Sequence, residues 1–171
     1  MTLARPACVL LLYPDFAEYQ IAPALEALRD RVALTVLAAD LGAVRGEAGL
    51  RVLADARWSE SVAAPQLVLM PGALDMRAPA TDGRLLGCLR AWASSGTRFA
   101  AICAGPVVLH AAGLLGGRRY VVGMTQAQRR RLGMDETGFA DQPVVRDGPL
   151  ITARGTAVDD FARACVRALT G

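Results

Sequence analysis

Residues 98–114 read Arg98-Phe99-Ala100-Ala101-Ile102-Cys103-Ala104-Gly105-Pro106-Val107-Val108-Leu109-His110-Ala111-Ala112-Gly113-Leu114. Arg98 to Ile102 has the near-continuous apolar pattern of a strand covered on both faces. From Ala104 to Leu114 the pattern becomes helical, with a stop near Gly113. Small residues lie on both sides of Cys103, so the chain can turn sharply from strand into helix. That layout is a nucleophile elbow, which lifts one side chain above the sheet. The first helical N–H groups and the helix dipole then favour a thiolate there.

The rest of the chain repeats the strand-then-helix unit. Ala7 to Tyr13 and Leu67 to Met70 are further buried-strand runs, and Val32 to Ala38 is strand-like. Ala17 to Arg29 carries Ile21, Leu25 and Leu28 at helical spacing, and Asp82 to Ser94 reads as a helix stopped by Gly96. Ala43 to Leu53, with Gly46, Gly49 and β-branched residues, predicts a small hairpin. Two short strands flank the turn Arg146-Asp147-Gly148-Pro149, and a helix follows from about Ala157 to Leu169. Such alternation with short loops predicts a doubly wound, mostly parallel α/β sheet with helices on both faces. At 171 residues, 53 % of them hydrophobic, the whole chain 1–171 fits one domain with one core.

Composition narrows the chemistry. All 19 basic residues are arginine, so lysine-dependent sites such as Schiff bases, pyridoxal phosphate anchors and Walker A loops are excluded. The net charge of +3 and the lone run Arg129-Arg130-Arg131 call for no nucleic-acid partner; the run reads as a solvated helix face. No apolar run reaches the ~20 residues that span a bilayer. Met1-Thr2-Leu3-Ala4-Arg5-Pro6 and Ala7 to Tyr13 are followed by Pro14-Asp15-Phe16 and not by a small-residue cleavage site, so the expected location is the cytoplasm. The four cysteines, Cys8, Cys88, Cys103 and Cys165, have no metal-ligand spacing, and His110 is the single histidine. No metal or cofactor is expected, and Cys8, Cys88 and Cys165 read as buried small hydrophobes.

Ligands of such sheets sit at the carboxyl ends of the strands. Three loops qualify, after Tyr13, Met70 and Ile102. The last carries Cys103, and the backbone N–H of Ala104 faces a developing oxyanion there. The second, Pro71-Gly72-Ala73, offers further backbone donors at Gly72 and Ala73. In the first, Asp15-Phe16-Ala17-Glu18 has capping-box spacing, which is one reading of Glu18. The other puts its carboxyl over the sheet edge that carries Cys103. His110, seven residues past Cys103 and ~10 Å along a helix axis, is too far to be its base and reads as a packing residue.

Over essentially its whole length the chain resembles the ThiJ/PfpI superfamily. The segments that carry the resemblance are 11–29 (LLYPDFAEYQIAPALEALR), 67–75 (LVLMPGALD), 99–119 (FAAICAGPVVLHAAGLLGGRR) and 144–169 (VVRDGPLITARGTAVDDFARACVRAL). The resemblance implies a flavodoxin-like fold, a homodimer, a nucleophilic or oxidisable Cys103, and a protonated Glu18 bonded to its thiol. Three departures limit it. Ala73 stands where members commonly have a second glycine. Ala104 stands where protease-like members have histidine after the cysteine. The later His-x-Glu pair of glutamine amidotransferases is absent. Protease and amidotransferase chemistry are therefore excluded.

The leading expectation is a cofactor-independent glyoxalase or deglycase acting on small reactive aldehydes. Cys103 adds to the aldehyde, Glu18 moves protons, and the amides of Ala73 and Ala104 hold the oxyanion. The alternative is a redox-sensing or stress-protective protein in which peroxide oxidises Cys103 to sulfinate. A weaker alternative is hydration of an isonitrile or similar small electrophile.

Overall fold

The computed structural model describes residues 4–60 and 63–170; Met1-Thr2-Leu3 of the N-terminal reading lie outside them. In chain order the elements are β1 (Ala7–Leu11), α1 (Glu18–Leu28), β2 (Ala33–Ala38), β3 (Ala43–Arg45), β4 (Arg51–Leu53) and β5 (Ala56–Arg57). Then come β6 (Leu67–Met70), α2 (Arg77–Thr81), α3 (Gly83–Ser94), β7 (Arg98–Ile102), α4 (Pro106–Ala111), α5 (Gln126–Arg131), β8 (Val144–Asp147), β9 (Leu150–Ala153) and α6 (Val158–Thr170).

Seven strands form the central sheet in the order β5-β2-β1-β6-β7-β9-β8. All neighbours are parallel except β8, which pairs antiparallel with β9 around Gly148 at φ 55°. β3 and β4 form a separate antiparallel hairpin. The apolar runs become the middle of the sheet because strands covered on both faces have no polar side to present. Leu67 to Met70 and Phe99 to Ile102 are accordingly buried at every position. α1 packs against α6, while α2, α3 and α4 pack on one another, so two helix groups flank the sheet. The order reverses at β1, which lies between β2 and β6, and the carboxyl ends of β1, β6 and β7 open side by side there.

Several elements differ from expectation for local reasons. The helix expected from Ala104 begins at Pro106, because Cys103 takes φ 59° and residues 103–105 are spent on the turn. The Asp15 capping box does not form: Asp15 sits at φ 58°, and α1 starts from Ala17 with no side-chain cap. α2, β5 and α5 have too few turns or residues to leave a periodic signal. α5 does carry a capping box, Thr125 with Gln128. Its basic run is not uniformly solvated, since Arg129 is only 6 % exposed. Arg129 gives Nε and Nη2 to Glu136 at 2.9 and 3.0 Å, gives Nη1 to the Met124 carbonyl at 2.9 Å, and lies over the Phe139 ring.

Candidate active site around Cys103

Cys103 occupies the turn between β7 and α4 in the left-handed region, at a cost of about 1–3 kcal/mol for a non-glycine residue. Its backbone is held at both ends. The Cys103 N–H donates to the Ala153 carbonyl at 2.9 Å, and the Cys103 carbonyl accepts from Gly123 N–H at 2.7 Å. Gly105 makes the turn possible, since a Cβ there would lie 2.6 Å from the Met70 carbonyl oxygen. The sulfur sits just as close to backbone: a Cβ on Gly155 or Gly123 would come within 3.0 Å of Sγ, and one on Gly72 within 3.0 Å of the Cys103 Cβ.

The side chain beside this thiol is Gln20, not Glu18. Gln20 is buried on the inner face of α1 with Ile21, Ala24 and Leu28. Its Oε1 accepts the Gly72 N–H at 2.9 Å, which fixes the amide flip and turns Nε2 the other way, 3.2 Å from the Tyr19 hydroxyl. A Cβ on Gly155 would lie 3.5 Å from that Nε2 and 3.0 Å from Sγ, so amide and thiol border the same small space.

Glu18 faces elsewhere. Its carboxylate accepts the Ala48 N–H at 3.0 and 3.1 Å and the Leu50 N–H at 3.1 Å, at the tip of the β3–β4 hairpin. A Cβ on Gly46 would overlap that carboxylate. Partial burial pushes the Glu18 pKa up, but the backbone hydrogen bonds from Ala48, Glu18 itself, Leu50 and Gly49 outweigh it, and the net direction is down. The expectation of a protonated Glu18 on the thiol is thus corrected: the residue is a carboxylate latch between α1 and the hairpin. Geometry explains the swap, because two residues on a helix are about 200° apart, and only one of the pair can face inward. Gln20 was findable as the i−4 and i−8 neighbour of Ala24 and Leu28.

Of the expected backbone donors, Gly72 N–H is already spent on Gln20. The amides of Ala73 and Ala104 have no protein acceptor among the described residues. Ala73 does not carry a positive φ, so replacing the usual glycine costs no strain there. Tyr13 lies beneath the site, its hydroxyl donating to the Pro71 carbonyl. Burial, and secondarily the Cys103 charge, push its pKa up, so it stays a neutral donor. His110 binds the Leu132 carbonyl through Nε2 at 2.9 Å, tying α4 to the end of α5, a packing role. Residues 123–124 and 154–156 also border the thiol. Arg154-Gly155-Thr156 follows β9 and adds a fourth strand end to the three loops expected after Tyr13, Met70 and Ile102.

Two clefts meet at Cys103 and share Gly123, Met124 and Gln128. One, about 630 Å³, carries polar groups: Tyr19, Thr125, Thr156 and the Asp141–Arg154 ion pair. The other, about 770 Å³, runs past Ala73 and Ala104 toward α2 and α5. Among the described residues no cluster of three or more His, Cys, Asp or Glu side chains suits a metal ion.

Fold and site together define a flavodoxin-like α/β protein built around a cysteine elbow. The chain belongs to the DJ-1/PfpI family, whose model matches residues 6–168. It is 30 % identical to Protein dj-1beta of Drosophila melanogaster over 96 % of this chain and 90 % of that protein. Among solved structures it is similar to a DJ-1 superfamily protein from Salmonella typhimurium, a cysteine-to-alanine mutant, with TM-score 0.84 and 30 % identity over 96 % of this chain and 91 % of that one. It also matches a two-domain protein with DJ-1/ThiJ/PfpI-like and ferritin-like domains from Anabaena variabilis, with TM-score 0.87 and 22 % identity. That match covers 97 % of this chain and spans 48 % of the larger one.

Proposed function

We propose that this protein is a redox-responsive, stress-protective cysteine protein in which peroxide oxidises Cys103 to sulfinate. The observation that carries the reading is the set of groups packed against the thiol: Gln20 and three glycines border it. Among the described residues no carboxylate or imidazole hydrogen-bonds to it. The sulfur attacks one peroxide oxygen; the S–O bond forms, the O–O bond breaks, and the leaving oxygen takes up a proton. The sulfur is oxidised to sulfenate and the peroxide reduced to water or an alcohol. A second equivalent gives sulfinate. The free Nε2 hydrogen of Gln20 and the amides of Ala73 and Ala104 are donors for the oxygens that develop, with no base required near the sulfur.

A second reading, the glyoxalase or deglycase, is favoured by the same two unspent amides, which suit the oxyanion of a hemithioacetal. It is weakened by the loss of its proton carrier, since Glu18 is committed to the hairpin. Side-by-side assays separate the two. Peroxide consumption with sulfinate formation, and no lactate from methylglyoxal, supports the redox reading. Methylglyoxal turnover that is lost in Cys103→Ser replaces it with the enzymatic one.

The proposal sets the protein in the cytoplasm as a homodimer. No helix among the described residues is long and apolar enough to cross a membrane.

A further inference from the structure

The two clefts at Cys103 differ in a way that peroxide oxidation alone does not need. The larger is walled by Leu74, Met76, Val107, Met124 and Leu132. Its charged and polar side chains are engaged or turned to solvent: Arg77 holds Asp75 at 2.6 Å, His110 is bonded to the Leu132 carbonyl, and Arg131 is exposed. Ala73 and Ala104, whose amides have no protein acceptor among the described residues, line this cleft and not the polar one. An oxygen leaving toward those amides therefore carries its substituent into an apolar channel of about 770 Å³, a space far larger than hydrogen peroxide requires.

We propose, building on the redox reading above, that the preferred oxidant is an organic hydroperoxide whose apolar tail lies in this cleft. The Cys103 thiolate attacks the terminal peroxide oxygen. The S–O bond forms as the O–O bond breaks, the sulfur loses two electrons, and the alkoxide departs along the Ala73 and Ala104 amides. It takes a proton from water and leaves as an alcohol. Each CH₂ removed from water in the cleft contributes about fourfold in binding of the tail.

The test measures second-order rate constants for Cys103 oxidation by hydrogen peroxide, tert-butyl hydroperoxide and cumene hydroperoxide. Each is divided by the rate for free cysteine at the same pH, which removes intrinsic reactivity. The normalised rate should rise with tail size and be roughly tenfold or more higher for cumene hydroperoxide than for hydrogen peroxide. Leu132→Asp and Leu74→Asp, at positions 41 % and 76 % exposed that tolerate charge in the fold, should lower that ratio severalfold. Equal normalised rates for the three oxidants would overturn the tail site while leaving Cys103 oxidation intact. A preference that survives both substitutions would overturn the assignment to this cleft. If none of the three oxidises Cys103, the redox reading itself fails.

Discussion

At the scale of single residues, the site rests on a difference between one thiol and three others. Burial pushes the Cys8 thiol up to about 12 and Cys88 up to about 11, and it raises Cys165 as well. These three carry little thiolate near neutrality, whereas Cys103 is partly exposed at the junction of two clefts. A brief iodoacetamide pulse followed by peptide mapping should label Cys103 first; earlier labelling of any other cysteine would mean the elbow is not the reactive site. Gln20 gives a second prediction. Gln20→Leu leaves the buried Gly72 amide without its acceptor, a loss of about 1–3 kcal/mol. The variant should melt a few degrees lower and carry less Cys103 through to sulfinate, read from a melting curve and the peptide masses. An unchanged sulfinate yield would reduce Gln20 to a packing role.

At the scale of elements, the start of α1 and the β3–β4 hairpin are joined through the Glu18 carboxylate. Its folded pKa is lowered, so its contribution to stability is present above the unfolded value and disappears as pH falls through the folded one. Wild type should therefore lose more stability than Glu18→Gln between about pH 6 and about pH 3. Glu18→Gln at neutral pH should speed hydrogen exchange at Ala48 and Leu50 severalfold without slowing Cys103 oxidation. Slowed oxidation would return Glu18 to the thiol chemistry. The elements also show what sequence can carry. The buried runs at β1, β6 and β7 announce themselves because a strand with two covered faces has no polar alternation. The elbow is legible because small residues bracket Cys103. Which of Glu18 and Gln20 faces inward is decided by the phase of α1, and the resemblance that placed Glu18 on the thiol carries no information on that phase. Segments 123–124 and 154–156 reach the thiol through backbone that has no periodicity to read.

At the scale of the whole molecule, β3–β4 and the helix start tied to it leave Tyr19, Leu41, Leu50 and Leu53 exposed, from 52 % to 72 % of their surface. A homodimer would cover side chains of this kind, and Tyr19 also lines the polar cleft at Cys103. Sedimentation at micromolar concentration should give a dimer mass, and Leu53→Asp should shift it toward monomer; a monomeric wild type would contradict this. On the proposed function, reactivity toward peroxide is concentrated in the one thiol at the elbow, bordered by Gln20 and three glycines. The most direct measurement is peptide mass mapping of all four cysteines after limiting peroxide, on wild type and Cys103→Ser. The predicted result is two oxygen atoms added to the Cys103 peptide, with the other cysteines unmodified in both proteins. An untouched Cys103, or oxidation spread evenly over Cys8, Cys88, Cys103 and Cys165, would contradict it.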